Sequence, residues 1–325
     1  MPHPEILNRY RDILVPALKG ALRDEGPLGE MLRYHMGLVR GGPGIGGKLL
    51  RPSLVCFSCE ASGGDPTTAL PLAVALELVH NFSLIHDDIQ DKDELRRGRP
   101  TVWAVYGGEQ AINAGDGMLV LALRQALGTE NLSETQRLTA LGALLSATYR
   151  MIEGQVLDLS LEGRSADVAE YLDMARKKTG ALIGCALELG GIAAGVDGEL
   201  RTELRELGEV LGLAFQVRDD WIGIWGDPRK VGKPVGSDIA RGKRSLPLVL
   251  ALGKDPSLAD LLDTEPLPLE EILGRLEGLG VKEETVSITR EFRDRAAERL
   301  ERLPWPNWAQ EAFRELLDFL VEREA

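Results

Sequence analysis

The hydrophobic residues of this chain recur with the period of an α-helix almost from end to end. Leu204, Leu207, Val210, Leu211 and Ala214 follow the i, i+3, i+4, i+7 spacing of a single apolar face. Leu72, Ala73, Val74, Leu76, Glu77, Leu78 and Val79 form a nearly continuous apolar run with few β-branched residues. Helical patterns return over 269–279, 283–303 and 308–323, with Pro304 and Pro306 as a break. Strand-like alternation is scarce, and no internal repeat is visible. Gly- and Pro-rich breaks near 41–47, 63–66, 107–108, 195–198 and 226–234 are too short to be disordered linkers. The expected fold is therefore all-α, a large helical bundle of short-linked helices forming one domain over 1–325. The more charged part beyond about residue 255 is expected to be a peripheral helical part of it.

Composition narrows the function. Hydrophobic residues make up 44% of 325, enough for a sizeable core, while the net charge of -13 argues against a general nucleic-acid binder. An anionic ligand would need local cations to overcome that field. Three cysteines, Cys56, Cys59 and Cys185, do not make a disulfide framework, and a reducing cytoplasmic setting fits. Cys56 and Cys59 read as small residues one turn apart on a helix. Met1-Pro2-His3-Pro4-Glu5 does not open a signal peptide. No transmembrane segment is expected either, because the smooth apolar stretch 181–196 is shorter than the ~20 residues a bilayer needs.

Against this background two acidic clusters stand out. The first is His86-Asp87-Asp88-Ile89-Gln90-Asp91, followed by Arg96-Arg97-Gly98-Arg99-Pro100. On a helix Asp87 and Asp91 share a face, Asp88 is adjacent, and His80 lies two turns earlier on the same side. Acid at the end of so apolar a helix opposes the macrodipole, so a solvated surface is the weaker reading and metal binding the stronger. The second cluster is Gln216-Val217-Arg218-Asp219-Asp220-Trp221-Ile222-Gly223, with Lys230, Lys233 and Lys243 downstream. Gly223 stands where a third carboxylate would match Asp91. Asp227, about 10 Å farther along a continued helix than Asp220, is too far to share one ion with it. Carboxylates flanked by cations point to a hard divalent metal and a phosphate ester in one site.

The basic residues complete the pattern. Gly42-Pro43-Gly44-Ile45-Gly46-Gly47-Lys48 nearly matches a phosphate loop, but Leu49 replaces the required Ser or Thr and no strand precedes it. Lys48 and Arg51 nonetheless place two cations after a flexible loop, and Lys177-Lys178-Thr179-Gly180 and Gly242-Lys243-Arg244 add more. No Ser-His-Asp or zinc-protease pattern occurs.

In this order, Gly46 to Pro52, Glu77-Leu78-Val79-His80, Leu84 to Asp91, Arg96 to Pro100, Lys178-Thr179-Gly180, Gln216 to Asp220 and Gly232-Lys233-Pro234 through Lys243 closely resemble the trans-type isoprenyl diphosphate synthases of the polyprenyl synthetase family. The resemblance runs from about 40 to 250. It implies an all-α fold around a deep cavity, usually a homodimer, and head-to-tail condensation of an allylic diphosphate with isopentenyl diphosphate. Asp87, Asp88, Asp91, Asp219 and Asp220 would hold Mg2+ on the allylic diphosphate. Arg96, Lys178, Lys233 and Lys243 would complete that pocket. Lys48, Arg51, His80 and Arg97 would bind isopentenyl diphosphate, and Thr179 and Gln216 would stabilise positive charge on the reacting carbons. Phe82 and Ser83, five and four residues before Asp87, occupy the positions that set chain length, and the bulk of Phe82 implies a stop near geranylgeranyl size. The rival readings are a farnesyl or longer-chain synthase, a terpene cyclase and a noncatalytic subunit of a heteromeric synthase. A cyclase would normally lack the Lys48, Arg51 and His80 pocket.

Overall fold

The apolar run before the first acidic cluster becomes α5 (Pro66–Gln90), in which Leu72 to Val79 are all buried. Its start is written locally. Pro66 occupies the first turn, and the Asp65 carboxylate accepts the Thr67 backbone N–H at 2.8 Å. The helix has 25 residues and is apolar enough to cross a bilayer, yet 67% of its apolar window is buried inside the fold. It is a core helix whose last turn carries carboxylates.

The computed structural model describes residues 4–39, 42–227, 236, 239 and 242–322. Before α5 come α1 (Glu5–Arg9), α2 (Arg11–Ala21), α3 (Gly26–His35) and α4 (Leu50–Ala61). A short hairpin, β1 (Leu95–Arg96) and β2 (Arg99–Pro100), then leads to α6 (Val102–Tyr106), α7 (Gly108–Leu127), α8 (Glu134–Leu161) and α9 (Val168–Ala175). A five-residue π-helix (Arg176–Gly180) joins α9 to α10 (Ala181–Ala194), and α11 (Gly198–Trp225) carries the second acidic cluster. The rest is α12 (Leu246–Lys254), α13 (Leu258–Leu262), α14 (Leu269–Gly278), α15 (Val281–Arg302) and α16 (Asn307–Glu322). The all-α expectation holds, with the hairpin as the sole sheet among the described residues.

Packing places the two acidic helices around a common centre. α10 lies between α4 and α11 and also touches α5 and α8, while α7 covers α5 and α15 covers α11. The face read from Leu204, Leu207, Val210, Leu211 and Ala214 is buried throughout. Removal of each such large side chain from water contributes about 1.5–3 kcal/mol. Cys56 and Cys59 are buried and unpaired on α4, as their spacing implied.

Candidate active site

A cavity of about 560 Å³ opens among α5, α8, the π-helix and α11. Its polar end is lined by Asp87, Arg96, Arg97, Lys178, Thr179, Gln216 and Asp219, together with Arg51 and His80. Its apolar part is lined by Phe82, Leu119, Met151, Ile152, Val156 and Leu182. Most of the residues singled out from sequence are thus brought to one place, although they come from segments up to 168 positions apart.

The first cluster divides by helical phase. Asp87 lines the cavity, and burial, with Asp91 nearby adding repulsion and Lys178 opposing it, pushes its carboxyl up to about 6. Asp91 is the exposed C-cap of α5, with its backbone N–H bonded to Asp87 O at 2.8 Å. Asp88 turns away from the cavity. It is 1% exposed, its Oδ1 accepts from Arg96 Nε and Nη2 at 2.7 Å, and its Oδ2 has no partner. It lines a separate space of about 210 Å³ behind the hairpin.

The hairpin presents Arg96 and Arg97 by a two-residue turn. Arg97 (φ 53°) and Gly98 (φ 73°) both take left-handed backbone, the combination of a type I′ turn, for which Gly98 is the unstrained residue. The non-glycine residues with left-handed backbone among those described are Leu49, Lys92 and Arg97. All three adjoin or belong to the charged segments, where strain of this sort collects at functional sites.

The π-helix presents Lys178 and Thr179 side by side. It is seated by Gly154 of α8, where an added Cβ would lie 2.2 Å from the Lys178 backbone nitrogen. From the same helix Asp158 pairs with Lys178 at 2.5 Å. Gln155 donates to Gln90 Oε1 at 2.8 Å, while its own buried Oε1 has no partner. Sequence reading missed Gln155 and Asp158. The signal was a Gly-Gln pair with Asp three residues after Gln, one helical face beside a close approach.

Thr179 donates to Gln216 Oε1 at 2.5 Å, and Gln216 Nε2 donates to Asp220 Oδ1 at 2.9 Å. Asp220, 1% exposed, also accepts from Tyr171 at 2.6 Å and from the Leu246 backbone at 2.9 Å. Lys243 approaches it to 3.8 Å. Within the second cluster Asp219 therefore faces the cavity, and Asp220 and Lys243 lie behind it. Lys230 and Lys233 are outside the described residues.

On the other side, Arg51 donates through Nη1 to His80 Nε2 at 3.3 Å, so His80 carries its proton on Nδ1. Burial, reinforced by Arg51, holds His80 well below the usual imidazole range and neutral. Behind them, Asn81 donates to the buried Glu77 carboxylate at 3.1 Å. Burial raises Glu77, with Arg51 opposing. Lys48 is exposed, with its ammonium 5.3 Å from the centre of the Phe319 ring.

This donor set suits a hard cation. Among the described residues no three His, Cys, Asp or Glu side chains converge as a closed metal cage. A small divalent cation that keeps waters and uses one or two carboxylates plus phosphate oxygens needs no such cage. Asp87 and Asp219, with the orphaned Gln155 Oε1 on the same lining, supply hard oxygen donors.

An all-α bundle whose apolar cavity ends in carboxylates, guanidinium groups and a lysine defines a prenyltransferase of the isoprenoid synthase fold. The chain belongs to the polyprenyl synthetase family, whose model matches residues 39–267. It is 43% identical over 253 residues to a geranylgeranyl diphosphate synthase of Mycobacterium tuberculosis, covering 76% of this chain and 72% of that one. It is likewise 43% identical over 250 residues to a (2E,6E)-farnesyl diphosphate synthase of Mycobacterium bovis, covering 75% and 68%. A polyprenyl synthetase structure from Streptomyces coelicolor superposes with a TM-score of 0.91 at 38% identity, over 97% and 98% of the two chains. A Caulobacter crescentus polyprenyl synthase, solved with calcium and isoprenyl diphosphate, superposes at 0.86 with 30% identity over 99% and 98%. The family uses a divalent metal and isoprenyl diphosphate substrates.

Proposed function

We propose that the enzyme condenses isopentenyl diphosphate head-to-tail with dimethylallyl, geranyl or farnesyl diphosphate, in the presence of Mg2+, and that geranylgeranyl diphosphate is the main product. The observation that carries this reading is the meeting of Asp87, Asp219, Lys178 and the Thr179–Gln216 pair at the polar mouth of one apolar cavity.

The allylic diphosphate lies between Asp87 and Asp219, with Arg96 and Lys178 on its oxygens. Asp87, Asp91 and Asp219 would hold Mg2+ there, which would supply charge favouring departure of diphosphate. The allylic C–O bond breaks and its electron pair leaves with diphosphate. Thr179 and Gln216 present oxygen to the electron-poor carbon; their mutual bond fixes both, and Asp220 fixes Gln216. Isopentenyl diphosphate, held by Lys48, Arg51, His80 and Arg97, attacks with its double bond. The new C–C bond forms, and a proton leaves to the departed diphosphate. Asp88 and Asp220 act from behind, Asp88 by orienting Arg96. The product chain grows along Met151 and Val156 until Phe82, 5% exposed at the cavity wall, stops it.

We read the whole chain as one synthase domain, supported by the packing of α15 and α16 on α11, and as a cytoplasmic homodimer. Val120 and Leu127 of α7 and Leu145 and Tyr149 of α8 are exposed apolar residues that a second copy would cover. The Arg51–His80 pair favours condensation over cyclisation, because it provides a second anion site. Purified enzyme with Mg2+ should transfer label from isopentenyl diphosphate to one of the three allylic primers. No transfer with any of them overturns the reading.

A further inference from the structure

His86 stands on α5 one turn after Phe82, and the two line the cavity together with Asp116 and Leu119 of α7. Its ring is held against α7. Nε2–H donates to the Ile112 carbonyl at 3.3 Å, and Asp116 Oδ1 lies 3.8 Å from the same nitrogen. The ring fits there because residue 115 is glycine. A Cβ at Gly115 would overlap Nε2 and Cδ2 of the imidazole and lie 3.0 Å from Cε1. Ala111 and Ala114, both buried, keep the rest of this seam small. The ring also meets Phe82 edge-on, with centroids 5.7 Å apart. His86 is thus a plate between the backbone of α7 and the aromatic wall of the cavity.

Resting on the reading of Phe82 as the end of chain growth, we propose that His86, seated in the notch at Gly115, is a specificity-determining residue that helps to set product length. Phe82 and His86 are i, i+4 neighbours on one helical face, so the ring of one restricts the rotamers of the other. The notch sets how far the imidazole withdraws from the cavity. A Cβ at 115 must displace it, and the cavity it lines is the space into which it can move. What moves is the outer end of a side chain with two rotatable bonds, so the helices can keep their places. The growing chain then loses room for its last isoprene unit. Removal of the ring does the opposite, because Phe82 loses its edge contact and the cavity gains the volume of the imidazole. The length limit is thus built by α7 as well as by α5.

Product analysis with Mg2+, dimethylallyl diphosphate and labelled isopentenyl diphosphate tests this. Gly115→Ala should shorten the product, raising the farnesyl-to-geranylgeranyl ratio roughly fivefold or more, the factor carried by mild overpacking. His86→Ala should lengthen it. The double variant should match His86→Ala, because the added methyl then has no ring to push. An unchanged product ratio in Gly115→Ala or in His86→Ala, a shift of both in the same direction, or a double variant that sums the two shifts overturns the proposal. Should Gly115→Ala fail to fold, His86→Ala alone decides it. If Phe82→Ala leaves product length unchanged, the reading of Phe82 as the end of the cavity fails. If Phe82→Ala lengthens the product while the His86 and Gly115 variants do not change it, only the role of His86 fails.

Discussion

Tyr171 donates its hydroxyl hydrogen to Asp220 at 2.6 Å in a fully buried contact, and through Asp220 it reaches Gln216 and Thr179 at the cavity. The second acidic pair is therefore one residue that faces the cavity and one that builds its wall. Asp219→Asn should raise the Mg2+ concentration needed for half-maximal rate. Asp220→Asn should leave that concentration alone and lower kcat by loosening Gln216. Metal titrations of the two variants separate these roles, and identical shifts would contradict the division.

The first cluster divides in the same way. Asp87→Asn should lower kcat about 100-fold or more, through loss of metal-assisted departure of diphosphate. Asp88→Asn weakens a buried pair with Arg96 and should cost about 1–3 kcal/mol of stability, with metal dependence retained. Chemical denaturation together with metal titration reads both effects.

Gly154 and Gly142 lie on the same helix in opposite surroundings. A Cβ at Gly154 meets the Lys178 backbone at 2.2 Å, whereas one at Gly142 meets nothing within 4 Å. Gly154→Ala should destabilise by about 1–3 kcal/mol and displace Lys178 and Thr179, with a loss of kcat. Gly142→Ala should be stabilising by up to ~1 kcal/mol. Thermal melts and turnover of the pair check this; equal behaviour would mean that α8 does not seat the π-helix.

His35 gives a pH signature away from the carboxylates that line the cavity. Its Nε2–H donates to Asn81 Oδ1 at 3.0 Å, because the Asn81 amide nitrogen is already spent on Glu77. Burial, with Arg96 adding repulsion, pulls the imidazole down to about 3 from 6.5. Between those values the unfolded chain binds a proton that the folded one does not, so stability from this group falls as pH drops through the window and is fully present above it. His35→Gln keeps a donor and removes the titration. Relative to wild type it should gain about 2–3 kcal/mol between pH 7 and pH 4.5. Urea midpoints at the two pH values measure the difference; parallel losses in both proteins would contradict it.

Much of this architecture was legible in the chain. The period of α11, the all-round apolar α5 and the two acidic clusters need only local sequence, because burial and helical phase act within a few turns. The facing of Asp88 was not legible. Helical spacing makes it a neighbour of Asp87, and only the hairpin behind it shows that Arg96 takes its carboxylate. The hairpin itself escaped notice because each strand has two residues and no alternation to read. The π-helix depends on Gly154, more than twenty residues earlier in the chain. Asp158 resembles any solvated carboxylate on an amphipathic helix until Lys178 is placed beside it.

The product itself gives the most direct test. Phe82 is buried at the cavity wall with its ring edge-on to His86 at 5.7 Å, so the wall at this point is aromatic and firmly packed. Wild-type enzyme should be incubated with Mg2+, farnesyl diphosphate and labelled isopentenyl diphosphate, and the dephosphorylated products separated by chain length. The expected result is a product one isoprene unit longer than farnesol in wild type, and longer chains with Phe82→Ala. Failure to extend farnesyl diphosphate, or the same product from both enzymes, would contradict the placing of chain growth in this cavity with Phe82 as its end.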